Sequence, residues 1–263
     1  MHYNHHMLLT LDIGNTAVEA MVFRGPDPSG SLRFPTPEPG EPSAWDPLIR
    51  DWPDPGICEV IVSSVVPGLN EPLAHRLLRD KGLTPRFIDH GTPLEIELAV
   101  NHPQEVGADR IADVVGALDF ASPPFLVIDS GTALTVDVLD AQRRYLGGVI
   151  VPGVDLSIRC LATHAARLER VEFRVPDSPL GRNTADCIRA GVFFAHLGGI
   201  EYLVREYRGM VGEEAEVITT GGAMRLFRDR LTVVDQMVPD LIHRGLRRIH
   251  AGLQSGKESE YRG

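Results

Sequence analysis

Apolar residues recur along the chain with two periods, and the changes from one to the other mark out its elements. Leu8-Leu9-Thr10-Leu11 is a short apolar run that stops at Asp12, and Ala17 to Phe23 alternates apolar with polar. A continuous run reads as a buried strand and an alternating one as a strand with one face covered. Gly14-Asn15-Thr16 turns the chain between them, so this glycine turn joins strand to strand. A dinucleotide-binding turn would open a helix instead, and no GxGxxG occurs. Residues 25–55 are rich in Pro, Gly and Asp, which predicts loops around a short strand at Ser31–Phe34 and a short helix near Ala44–Arg50. Val60–Val62 reads as a buried strand, Asn70 as the cap of a helix reaching Arg79, and Pro85–Asp89 and Leu94–Leu98 as short strands. Ile111, Val114, Val115 and Leu118 stand at helical spacing within Gly107–Phe120.

About half a chain later the opening pattern returns. Phe125-Leu126-Val127-Ile128 ends at Asp129, Gly131-Thr132 makes a turn, and Ala133–Leu139 alternates. LLTLDIGNTAV and FLVIDSGTALTV are thus an internal repeat, which predicts two copies of one domain. Ser122-Pro123-Pro124 breaks the preceding helix and sets the boundary, giving domains 1–120 and 121–263. The second half is expected to hold a strand at Tyr145–Val151, the turn Pro152-Gly153 and a helix from Val154 to about Ala166. A long helix capped by Asn183 should reach about Tyr207, followed by a strand at Ala215–Thr219. Gly221-Gly222, a short helix to Phe227, a strand at Leu231–Val234 and a helix after Pro239 complete it, with a disordered tail from Ser255.

Composition narrows the classes. Hydrophobic residues are 43% of the 263, enough for packed cores. No apolar run approaches the roughly 20 residues of a membrane span. Met1–Met7 has no apolar h-region, so it is not expected to be a secretory signal; its His2, His5 and His6 read as a disordered leader rather than a metal site. A net charge of −10 argues against a general nucleic-acid binder. Lysine occurs only at Lys81 and Lys257, followed by Gly82 and Glu258, so a P-loop Gly-Lys-Ser/Thr cannot be formed. Cys58, Cys160 and Cys187 are too far apart for a zinc cluster or a disulfide framework and read as buried thiols in a reducing cytoplasm.

The chemistry concentrates at the repeated turns. Asp12 and Asp129 each end an apolar strand just before a Gly-Thr turn. Glycine lets backbone N–H groups approach phosphate oxygens, and the threonine hydroxyl adds a donor. A carboxylate there would repel phosphate unless it acts through a cation or its waters. Gly221-Gly222 leaves room for a flat ring, an adenosine contact. The order of two phosphate turns and then a glycine pair resembles the actin-like ATPase superfamily, which includes Hsp70 and the sugar kinases. Asp109, in NHPQEVGADR, is either a helix-start carboxylate favoured by the helix dipole or a general base, and Arg110 can clamp a carboxylate or phosphate.

Taken together, DIGNT, SSVVPGL, EVGADRIAD, DSGTALT, GGVIVPG, GRNTADCIRAG and TTGG, in that order over almost the whole chain, closely resemble the type III pantothenate kinase family. The resemblance implies an α/β fold of two actin-like (ribonuclease H-like) domains, mixed sheets flanked by helices, with an active-site cleft between them. It implies ATP-dependent phosphorylation of pantothenate, Mg²⁺ on the nucleotide, a monovalent cation (K⁺ or NH₄⁺) and a cytoplasmic homodimer needing neither nucleic acid nor membrane. By motif, Asp12, Ile13, Gly14, Asn15, Thr16, Ala17, Val18 and Glu19 wrap the ATP phosphates, and Thr132 also touches ATP. Asp129 is the K⁺ ligand and Asp109 the proton acceptor. Val100, Gly107, Ala108, Asp109, Arg110 and Thr184 hold pantothenate, with Thr184 at or near the dimer interface. Val100 stands where the family usually has Tyr, and His102 where it has Asn; Ala17 and Glu19 depart from the commoner GNTNT. The rival readings are a nucleotide-binding regulatory relative without kinase activity and an actin-fold sugar kinase or phosphatase. Intact Asp109 and Arg110 argue against the first. One large branch of sugar kinases carries a zinc cysteine cluster that these three cysteines cannot form.

Overall fold

The computed structural model describes residues 7–38, 40, 45–50, 56–164 and 171–260. The His-rich leader, Ala44 and the last two residues expected in the helix after Val154 lie outside them. In chain order the elements are β1 (Met7–Ile13), β2 (Ala17–Arg24), β3 (Asp27–Pro35), α1 (Asp46–Ile49), β4 (Ile57–Ser64), α2 (Asn70–Lys81), β5 (Pro85–Phe87), β6 (Glu97–Leu98), α3 (Ala108–Ala117), β7 (Phe125–Ser130), β8 (Ala133–Leu139), β9 (Arg144–Pro152), α4 (Val154–His164), α5 (Thr184–Val211), β10 (Glu216–Thr220), β11 (Gln236–Met237) and α6 (Leu241–Glu260). They form two compact units, Met1–Asp119 with Asp240–Gly263, and Phe120–Pro239.

In the first unit the sheet runs β3-β2-β1-β4-β5, with β1 antiparallel to β2 and parallel to β4. A central strand covered on both faces has no polar side to alternate, which is why β1 reads as a continuous apolar run. Leu11 and Ile13 are fully buried and pack with Val18, Leu73 and Leu77. Thr10 is the polar exception. Its hydroxyl donates to the Met21 carbonyl at 3.1 Å and lies 2.8 Å from Nδ1 of His243 on α6. A hydroxyl has one proton, so the imidazole Nδ1–H is the donor in the second contact. Burial pushes the His243 pKa down to about 4, so the ring is neutral at neutral pH.

The last helix departs from the sequence-based division at 121, because α6 belongs to the first unit rather than the second. Its partner is α3, and two glycines let the helix backbones touch. A Cβ on Gly116 would lie 2.5 Å from the Leu241 oxygen and 2.9 Å from the Gly245 nitrogen. One on Gly245 would lie 2.6 Å from the Ala112 carbonyl carbon and overlap its oxygen.

In the second unit the strands follow the order β11-β10-β7-β8-β9, with β7 antiparallel to β8 and parallel to β10. The hairpin and its parallel neighbour therefore repeat the arrangement of β1, β2 and β4. Leu126, Ile128, Val136 and Phe193 form the core, and the Phe193 and Phe227 rings stack with centroids 5.1 Å apart.

Several sequence expectations shift. β3 starts at Asp27 rather than Ser31, because it is an edge strand with little buried and so little alternation to read. The strand expected at Leu231–Val234 is absent; Leu231 is buried without strand pairing, and the pairing falls at Gln236–Met237. Of Leu94–Leu98 only Glu97–Leu98 is strand. Asn70 lies inside α2, whose N-cap is Leu69 without a side-chain bond. α6 continues through Ser255 to Glu260, where a disordered tail was expected. All three cysteines are exposed rather than buried, on outward positions of β4, α4 and α5. By length and composition α5 is long and apolar enough to cross a membrane, contrary to the expectation that no stretch comes near that. Gly191, Ala195, Gly198 and Gly199 make it apolar without bulk, while its Val192, Phe193, Ile200 and Val204 pack into the core of the second unit.

Candidate active site

The first turn is closed by its own backbone. Gly14 N–H donates to Ala17 O at 3.1 Å, and Thr36 Oγ1 donates to Gly14 O at 2.6 Å. Asn15 and Thr16 project into solvent at the tip. Asp12 and Glu19 face each other across β1 and β2, and Asp12 Oδ1 accepts from Ser63 Oγ at 3.0 Å. Ser63, on β4, belongs to the SSVVPGL motif, and its pairing with Asp12 across 51 residues has no local signal in the sequence. Ile13 and Val18 have no exposed surface, so of the segment 12–19 these two offer a ligand only main-chain groups. Glu19 pairs with Arg33 at 2.9 Å.

The same strand end reaches the Asp109 turn. Val65 N–H donates to Ile13 O at 3.1 Å, and Val65 Cγ1 lies 3.7 Å from where a Cβ on Gly107 would stand. Gly107 is the N-cap of α3, Ala108 its buried first residue, and Asp109 and Arg110 follow half-buried. A Cβ on Gly107 would overlap Asp109 Oδ1, so this glycine makes the space the carboxylate occupies. Burial pushes the Asp109 carboxyl above its ordinary range, while the Arg110 N–H at 2.8 Å and the Arg110 charge pull it back. A carboxyl group raised in this way is a better proton acceptor than a solvated one. Within the first unit, Asp12–Glu19 and Gly107–Arg110 are therefore linked through the Val65 segment. Val100 is half-buried and His102 exposed, ahead of the short helical turn Pro103–Glu105.

The second turn is held by three glycines. Gly131 N–H donates to Ala133 O and Gly153 N–H to Thr132 O, each at 2.9 Å. Gly221, at φ +85°, is packed so that a Cβ would overlap Asp129 Oδ1 and lie 2.5 Å from Ser130 O. One on Gly153 would lie 2.5 Å from Gly131 O and 2.7 Å from Thr132 O. DSGT, VPG and TTGG are distant in sequence but meet at one turn: Gly221 packs on the half-buried Asp129 carboxylate and Gly153 on the backbone of Gly131 and Thr132, with Thr132 exposed at the tip. Thr184 is not among these residues. It is the exposed first residue of α5, after Asn183, whose side chain accepts from Asp186 N–H at 2.9 Å.

A sequence model of one family matches residues 8–206, from β1 into α5, and it describes type III pantothenate kinase. The chain belongs to the type III pantothenate kinase family. The type III pantothenate kinase of Rhodospirillum centenum is 36% identical over 255 residues, covering 93% of this chain and 98% of the relative. Among solved structures, a Baf family transcriptional activator candidate from Campylobacter jejuni superposes with TM-score 0.60 at 21% identity, covering 94% of this chain and 99% of that one. A 2-dehydro-3-deoxygalactonokinase candidate from Sinorhizobium meliloti gives TM-score 0.60 at 14% identity, covering 94% and 96%. At these identities the likeness speaks for fold alone, the actin-like α/β architecture of mixed sheets flanked by helices. Both turns and Asp109 fall inside the stretch matched by the type III pantothenate kinase family; Gly221 and the whole of α6 fall beyond it.

Proposed function

We propose that this chain transfers the γ-phosphate of ATP, supplied with a divalent metal, to the hydroxyl of pantothenate in the first step of coenzyme A biosynthesis, in the cytoplasm. Asp109 carries the reading: a carboxylate held in a glycine-made space, raised by burial, and linked through Val65 to a phosphate-type turn. The test is ADP release by the purified protein with pantothenate, against a panel of sugars and small alcohols. Release with a sugar but none with pantothenate would overturn the reading.

In this reading the backbone of Asp12–Glu19 and the Thr132 hydroxyl receive the ATP phosphates. Val100, Gly107–Arg110 and Thr184 receive pantothenate, and Arg110 faces its carboxylate. Asp109 takes the proton of the attacking hydroxyl. Phosphoryl transfer rests mostly on positioning and charge neutralisation, with the base a smaller contribution.

The donors around Asp129 suit a monovalent cation. The Asp129 carboxylate and the Ser130 carbonyl, two hard oxygens, both crowd the place where a Cβ on Gly221 would stand. Among the described residues no cluster of three His, Cys, Asp or Glu could hold a metal ion instead. A bound K⁺ or NH₄⁺ would supply positive charge beside a carboxylate that otherwise repels phosphate. Replacing K⁺ or NH₄⁺ by Na⁺ is expected to depress the rate, and Asp129→Ala to remove the response; equal rates in all three salts would exclude the site.

A homodimer through α5 is part of the proposal. Thr184, Cys187, Gly191, Ala195, Gly198, Tyr202, Arg205 and Gly209 are exposed at spacings of three or four residues, forming one seam along the helix. A Cβ on Gly191, Gly198 or Gly209 would meet nothing within 4 Å, so two such helices can approach closely. Sedimentation equilibrium is expected to give twice the 28.8 kDa of the chain; a monomeric mass at assay concentrations would exclude this dimer.

A further inference from the structure

Arg248, on α6, lies outside every motif that points to the kinase reaction, yet it binds both ends of the segment that carries the acceptor residues. Its Nε and Nη2 donate to the two carboxylate oxygens of Glu95 at 2.9 and 2.6 Å, a two-pronged pair. Its Nη1 donates to Asp119, just past the end of α3. Arg247 reaches the other oxygen of Asp119 at 3.1 Å. Between the two anchors stand Val100, Gly107, Ala108, Asp109 and Arg110, all of the first unit's proposed pantothenate contacts. One guanidinium thus closes residues 95–119 into a ring, in which Ile96 is buried and α3 is locked to α6 at Gly116 and Gly245.

A lone surface ion pair contributes little. This one is three-quarters buried on the arginine side, is bidentate, and joins two carboxylates; Glu95 first, then Asp119, raises the Arg248 pKa. Planar, two-pronged binding restricts the segment in direction as well as distance, which an ammonium cannot do.

We infer that Arg248 is a positioning residue for the acceptor, setting where the segment 95–107 stands relative to the first turn of α3. The inference rests on the pantothenate reading for its substrate, though not for the tie itself. The test is Arg248→Lys and Glu95→Gln, assayed with ATP and pantothenate varied separately. The KM for pantothenate is expected to rise about three- to tenfold, as for a lost charge-assisted bond acting through another group, with the KM for ATP within about twofold. The double variant should be no worse than Arg248→Lys alone, because both changes break one tie. Hydrogen exchange at residues 95–107 should be faster in both variants. An unchanged pantothenate KM, an equal rise in both KM values, or unchanged exchange would each overturn the inference, whatever happens to the melting temperature. Wild-type protein that releases no ADP with pantothenate would count against the functional reading, and the exchange measurement would still decide the tie.

Discussion

Asp109→Asn is expected to lower kcat with pantothenate about 10²–10⁴-fold and to leave ATP binding in place. The carboxamide matches the carboxylate in shape, and its oxygen can still accept the Arg110 N–H that the carboxylate accepts at 2.8 Å. What it loses is the ability to take a proton. Wild-type activity should fall as pH drops through the raised pKa of Asp109, and this acidic limb should vanish from the residual rate of the variant. Stability should not fall with it. Burial raises the folded pKa above the unfolded one, so the folded state is penalised at every pH above the folded value. That penalty disappears as pH falls through it. Asparagine carries no such penalty, so the variant should melt no lower than wild type at neutral pH. Wild-type turnover in the variant would remove Asp109 from the chemistry. Lost turnover with a large drop in melting temperature would show a folding defect instead.

Gly245→Ala should destabilise the protein by about 3 kcal/mol, at the upper end of overpacking costs. The new methyl would overlap the Ala112 carbonyl oxygen and stand 3.0 Å from the Gly116 nitrogen. These are backbone atoms of a hydrogen-bonded helix, so no rotamer change relieves the overlap; α3 and α6 must separate. For a chain of this size about 3 kcal/mol lowers the melting temperature by roughly 6–12 °C. The control lies on the same helix. A Cβ on exposed Gly252 meets nothing within 4 Å. There the same substitution should stabilise by up to about 1 kcal/mol through helix propensity. Equal melting temperatures for the two variants would mean that the close helix contact is not maintained in solution. Because Asp109 lies in the first turn of α3, the variant is also expected to lose turnover beyond its loss of folded protein.

Much of the site is local in sequence, and that much could be read there. The strands leading to Asp12 and Asp129 are covered on both faces, so they appear as apolar runs that stop at a charge. Gly107 stands two residues from the carboxylate it makes room for, so GADR carries its own explanation. The convergence of Gly153 and Gly221 on the Asp129–Thr132 turn could not be read, because each of these glycines answers to a neighbour supplied by another element. The same holds for Gly116 with Gly245 and for Glu95 with Arg248, 153 residues apart. Helical periodicity shows that α6 has an apolar face but does not name the helix it meets, and so a sequence-based division groups it with its sequence neighbours. Leu231–Val234 shows the converse, where burial without pairing imitates a strand.

The placement of α6 also bears on how the chain is made. Residues 120–239 are continuous and enclose a core of their own, so they can fold as soon as they have left the ribosome. The first unit cannot be completed then, although its sheet is synthesised earlier. Until residues 241–249 emerge, the face of α3 that meets Gly245 is bare, Thr10 lacks its imidazole partner, and Glu95 and Asp119 wait for their guanidinium. The segment that holds Asp109 is thus completed only after residues 120–239 have been made, which ties assembly of the proposed acceptor site to synthesis of α6.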